Sequence, residues 1–121
     1  MNAEDLKKRT KQFGLRCIKV TESLPGTRTA DVLGKQLLRS ATSVGANYRS
    51  ACRAQSRPAF ISKIAIAIEE ADESLYWLEL MIEAGLIKEG DEIVAIQTAS
   101  SKTAQSRLKR PISNRKSTIS N

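Results

Sequence analysis

Histidine is missing altogether from the 121 residues, and with it the commonest general base and metal ligand near neutral pH. The two cysteines, Cys17 and Cys52, both fall on apolar helical stripes and match no zinc spacing, so they are expected as small, reduced core residues with no metal and no cofactor. No apolar run approaches the ~20 residues of a membrane span, and the opening MNAEDLKKRT has no apolar segment of signal-peptide length, so a cytoplasmic protein without membrane association is expected. Aromatic residues make up only 4%, and Phe13, Tyr48 and Phe60 fall on core stripes, which leaves little for stacking on single-stranded bases.

What is abundant is positive charge. Twenty Lys and Arg against thirteen Asp and Glu give +7 and a pI near 9.7, a hint of polyanion binding. The charge is segregated: residues 1–57 carry +8, residues 58–92 carry −7, and residues 93–121 carry +6 with no acidic residue at all. A basic part therefore flanks an acidic one, and neighbouring helices or neighbouring subunits have the means to pair across that division.

The stretch LGKQLLRSATSVGANYRSACR, Leu33 to Arg53, organises the chain. On a helical wheel of 100° per residue, Ala30, Leu33, Leu37, Ala41, Val44, Tyr48, Ala51 and Cys52 form one inward stripe. Lys35, Arg39, Arg49 and Arg53 cluster in an arc of roughly 80° on the opposite side, a basic stripe along about five turns. Gly34, Ala41, Gly45, Ala46 and Ala51 keep the helix thin despite the low helix propensity of glycine, so another backbone should pack close to it. Gln36, Ser40, Ser43 and Asn47 form an uncharged polar strip beside the apolar one, which suits an interface.

A first helix should follow Asn2, whose side chain can cap it with Asp5 in support, and run to about Ser23. Its seam is Leu6, Thr10, Phe13, Cys17, Val20 and Leu24, with Leu15 and Ile18 off the seam and suggesting a second neighbour. Pro25 and Gly26 end it, and Thr27 or Thr29 can cap a second helix that reaches about Ala54. Ser56, Arg57 and Pro58 open a third helix to about Ala84, with core residues Phe60, Ile61, Ile64, Ile68, Ala71, Leu75, Leu78 and Ile82. Its other side carries Ile66, Trp77, Leu80 and Met81 among Glu69, Glu70 and Glu73, an apolar set that points to self-association. Gly85 is placed to terminate it, followed by Leu86. A weaker fourth helix is expected from about Asp91 to Leu108 on Ile93, Ile96, Ser100 and Ala104, and KRPISNRKSTISN reads as a flexible cationic tail. Short connections make such helices antiparallel neighbours, so residues 1–108 are expected as an all-α, up-down-up-down antiparallel four-helix bundle and residues 109–121 as the tail.

No catalytic constellation emerges. Glu69, Glu70, Asp72 and Glu73 lack the histidines of a di-metal bundle site, Gly34 and Gly45 belong to no phosphate-cradling loop, and Ser40 and Ser43 have no base to activate them. The expectation is a protein without enzymatic activity. The basic stripe is the chemically active feature: Lys35, Arg39, Arg49, Arg53 and Arg57 are the candidate nucleic-acid contacts, since arginine forks bind phosphate in bidentate fashion and counterion release drives non-specific affinity. Candidate oligomer contacts are Ser43, Asn47, Ile66, Glu70, Glu73, Trp77 and Met81.

QLLRSATSVGANYRSACR from Gln36 and ADESLYWLELMIEAGLI from Ala71 resemble the bacterial four-helix-bundle family named for proteins encoded in intervening sequences of 23S ribosomal RNA genes. The resemblance runs nearly continuously from Asp5 to about Thr103 and includes RTKQFGLRCIKV and SKTAQ. It implies a four-helix bundle, a homo-oligomer such as a pentameric ring, and no enzyme activity. The accessory protein of diversity-generating retroelements, a basic pentamer that binds nucleic acid and a reverse transcriptase, is similar in fold, so RNA, DNA or a protein partner are the implied associates. Positions matching the family pattern are Arg39, Ser43, Asn47, Tyr48, Arg49 and Arg53, then Glu70, Asp72, Glu73, Trp77 and Glu79. Gln97, Ser101 and the basic extension depart from it.

Overall fold

A computed structural model describes residues 2–88, and within them the chain forms three helices and no strand: α1 (Ala3–Glu22), α2 (Arg28–Cys52) and α3 (Arg57–Glu83). The fourth helix expected over 91–108 and the tail over 109–121 lie outside the described residues, so what is established is an all-helical fold with three helices rather than a four-helix bundle.

Local chemistry sets each boundary. Asn2 accepts from the Asp5 N–H at 2.9 Å while the Asp5 carboxylate reaches back to the Asn2 N–H, so two otherwise orphaned donors of α1 are satisfied together. Thr27 caps α2 through the Ala30 N–H, and Ser56 caps α3 through the Ala59 N–H, each at 3.2 Å. Pro58 sits in the first turn of α3, where its missing N–H costs nothing. At the far end Gly85 takes φ +76°, and the Leu86 and Gly85 N–H groups return to Met81 and Ile82 at 2.8 and 3.0 Å, a left-handed stop that a side chain would strain.

The central helix is α2, whose backbone runs close to both α1 and α3, while the backbones of α1 and α3 stay apart and meet only through the shared core. Three glycines line the α1–α2 seam: a Cβ on Gly14 would lie 3.7 Å from the Ala41 carbonyl oxygen, one on Gly45 3.5 Å from the Thr10 backbone, and one on Gly34 3.0 Å from Leu24 Cδ1. These pairings fall in number along α2 as they rise along α1, so the two helices are antiparallel and nearly in backbone contact. The close packing expected of the thin second helix is thus supplied by α1. Cys17 and Val20 of α1, Leu37 and Ala41 of α2, Leu78 and Met81 of α3, and Ile87 form one buried cluster. The stripe expected for α2 is the one buried, with Leu33 and Cys52 half-covered. Cys17 and Cys52 are free thiols, and burial pushes the Cys17 thiol up to about 12.

Helix α3 departs from the expected facing. Met81, placed on the outer side and among the oligomer contacts, is 0% exposed and belongs to the core of its own chain. Ser74 is equally buried, whereas Phe60 and Ile61, expected inside, are 42% and 55% exposed. Leu75 and Leu78 are buried as expected, and the buried side of α3 extends from them through Ala67 and Ser74 to Met81, so it takes in part of the anticipated stripe and part of the side expected to face outward. The reason is compositional: α3 is apolar on several sides, so periodicity leaves its orientation open and the partner decides it. Leu15, off the seam of α1, is exposed and meets no second neighbour helix among the described residues.

Candidate nucleic-acid interface

The five basic residues singled out along α2 and the start of α3 are separated by the structure into two groups. Lys35 pairs with Asp31 one turn earlier at 3.1 Å, both side chains largely in solvent. Arg39 is held across the α2–α3 seam: its Nη1 donates to Glu70 Oε2 at 3.1 Å and its Nη2 donates to Glu73. Arg39 is exposed as expected, with its side chain half in solvent, but it is not free, because α3 brings two carboxylates of the same chain within its reach. Arg49, Arg53 and Arg57 are exposed, and among the described residues none of them meets a carboxylate.

Geometry explains the split. Arg39 and Arg49 lie at opposite margins of the arc, about 80° apart on the helix, Arg39 on the side that turns to α3 and Arg49 on the side that turns to α1. The uncharged strip beside Arg39 is explained by the same seam. Ser40 and Ser74, both fully buried, place their hydroxyls 2.8 Å apart: Ser74 Oγ donates to Ser40 Oγ, and Ser40 Oγ donates to the Leu37 carbonyl at 3.3 Å. Ser43 donates to the Arg39 carbonyl and the Asn47 amide to the Ser43 carbonyl, so both side chains fold back on α2.

The other expected interface residues gather here too. Glu73 accepts the Trp77 indole N–H at 3.0 Å as well as Arg39, and these bonds, Trp77 first, hold its carboxyl below the usual glutamate range. Glu70, Glu73 and Trp77 thus make contacts within their own chain, and Ile66 remains exposed on α3.

Sequence reasoning passed over one set of cations. Lys8, Lys11 and Lys19 lie on the outward face of α1 around the exposed Leu15. Because Thr10 sits against Gly45, the first turns of α1 run beside the last turns of α2, and Lys8 and Lys11 share an end of the molecule with Arg49, Arg53 and Arg57. The same wheel that picked out α2 could have found them; their weight depends on the helix pairing, which no single-helix pattern contains. From Val32 to Ile68 the chain has no acidic residue, so at this end basic residues outnumber the two acids, Glu4 and Asp5, that the first turn of α1 brings there, while Glu69, Asp72, Glu79 and Glu83 are exposed further along α3. No group of His, Cys, Asp and Glu among the described residues could hold a metal ion, and no described helix is long and apolar enough to cross a membrane.

Comparison with known proteins finds that residues 4–105 match the family model described as 23S rRNA-intervening sequence protein. Among solved structures, the chain is similar to a protein of unknown function from the S23 ribosomal protein family of Bacteroides thetaiotaomicron VPI-5482. The two share 38% identity at a TM-score of 0.76, over 90% of this chain and 99% of that one. No curated protein matches.

Proposed function

This chain belongs to the 23S rRNA-intervening sequence protein family, and from that premise we propose that it is a non-enzymatic, cytoplasmic, oligomeric binding protein that holds nucleic acid, RNA above all, without sequence specificity. The observation that carries the reading is the exposed group Arg49, Arg53 and Arg57, unpaired with any described carboxylate although Glu4 and Asp5 of α1 lie at the same end of the molecule. Arginines on a rigid helical frame displace condensed counterions from phosphates, which gives affinity that falls steeply with salt. Lys8 and Lys11 add positive charge at the same end on the outward face of α1; Arg39 and Lys35 are secondary, since each has a carboxylate beside it.

The test is a salt titration of RNA binding by the native chain, the Arg49→Ala/Arg53→Ala double variant and Arg39→Ala, with subunit mass in solution measured alongside. Each lost phosphate contact should flatten the log–log slope by about 0.7–0.9, so the double variant should lose roughly twice that and Arg39→Ala almost nothing. A flat titration of the native chain at low salt removes the proposal.

The second reading is an oligomeric adaptor whose basic stripe pairs with the acidic α3 of an adjacent copy and whose working partner is a protein such as a reverse transcriptase or a ribosomal component. The exposed Glu69, Asp72, Glu79 and Glu83 favour it. It predicts that the double variant falls apart into smaller species while its RNA titration keeps the native slope.

A further inference from the structure

Building on the nucleic-acid reading above, we infer that the α2–α3 turn carries a stacking platform for single-stranded nucleic acid, with Phe60 as the residue that stacks on a base and Arg53 and Arg57 as its phosphate contacts. Phe60 lies on the side of α3 that faces α2, yet it is 42% exposed. The register explains this. Ser40 meets Ser74, and residues 54 and 60 are equally far from that pair, so Phe60 stands level with the turn, beyond the last residue of α2 at Cys52. The apolar row of α3 outruns the helix that covers it.

The frame around the ring is fixed before any ligand arrives. Ser56 caps the helix through the Ala59 N–H at 3.2 Å, the Phe60 N–H donates to the Ser56 carbonyl at 3.0 Å, and Pro58 stiffens the first turn. Little ordering is therefore left to binding. Arg57 stands one turn before Phe60 and Ile61, Arg53 lies just across the turn, and all four are exposed.

Charge selects the occupant. The α2–α3 turn itself carries no carboxylate, the acids at that end being Glu4 and Asp5 of α1, so a second copy meeting this turn with its own would oppose arginine to arginine, whereas a phosphate chain would neutralise both. An aromatic ring among arginines matches a strand whose bases are open, because every base offers a π-face and those of a duplex are already stacked.

Anisotropy titrations of the full chain with a labelled oligouridylate and with an RNA duplex of equal length test this, using Phe60→Ala, Phe60→Leu and Phe60→Trp. Alanine and leucine should each weaken single-strand binding about tenfold with the salt slope unchanged, tryptophan should restore it, and duplex binding should stay at the native level. Native single-strand binding by Phe60→Leu overturns the inference, as does an equal loss on strand and duplex. A change in subunit mass or melting temperature with Phe60→Leu, at native strand affinity, assigns the ring to a second copy or to residues 89–121 and overturns it too. Failure of the native chain to bind either RNA defeats the underlying nucleic-acid reading instead, so the two failures are distinguishable.

Discussion

The two seams of α2 are built from different chemistry although one helix makes both. Toward α1 the helices approach backbone to backbone at Gly14 and Gly45, while Gly34 receives the side chains of Thr21 and Leu24. Toward α3 it is side chain on side chain: a buried hydroxyl pair between Ser40 and Ser74, then Arg39 clamped by Glu70 and Glu73 with Trp77 behind them. The difference teaches which arginines are available. The α3 side supplies carboxylates and captures Arg39, whereas Arg49, at the margin that turns to α1, meets none among the described residues and is left for a partner.

Breaking the glycine seam should have the largest effect. Gly45→Leu has no room against Thr10 and must push α1 aside, which we expect to cost about 1–3 kcal/mol in denaturant unfolding. Gly14→Ala, whose Cβ would make ordinary contact at 3.7 Å, should instead raise stability by up to about 1 kcal/mol through helix propensity. If both variants destabilise alike, the seam is not limited by space. On the other side, Ser40→Ala should cost only about 1 kcal/mol. Its partner Ser74 keeps an acceptor in the Glu70 carbonyl at 2.8 Å, so no buried donor is stranded. A loss as large as that of Gly45→Leu would mean that the hydroxyl pair carries more of the α2–α3 seam than its geometry implies.

The smallest effect is the most diagnostic of the charged clamp. Because the Glu73 carboxyl is depressed in the folded chain, the stability it contributes is fully present above the ordinary glutamate value of 4.5 and is lost as pH falls through the depressed value. Trp77 is the sole tryptophan and bonds the same carboxylate, so its fluorescence should change over that acid window and Glu73→Gln should abolish the change. An unaltered acid transition in Glu73→Gln would show that Trp77 senses another group.

Much of the frame was legible from local rules. Asn2, Ser56, Pro58 and Gly85 mark helix ends because capping, fixed φ and left-handed φ are decided within a few residues. The inward stripe of α2 was equally legible, since small and aliphatic residues fall on one side and arginines on the other. The facing of α3 was legible in part: Leu75 and Leu78 are buried as expected, but with Ile61, Ile64, Ile66 and Ile68 spread around the helix, periodicity did not show that Met81 goes inside, nor that Phe60 stays exposed where α3 outruns α2. Within the candidate site, Arg39, Arg49, Arg53 and Arg57 are all exposed, but Arg39 is paired with Glu70 and Glu73, and Lys8 and Lys11 come into view only through the α1–α2 pairing.

Composition and spacing alone determined three helical segments, their caps and the separation of positive from negative charge, because each depends on neighbours no more than a turn or two away. Only the packed structure decided which side of α3 is buried, that Arg39 is spent on Glu70 and Glu73, and that Phe60 stands uncovered beside Arg57. Those outcomes depend on the register between helices, and register is fixed by contacts such as Ser40 with Ser74 that join residues far apart in the chain.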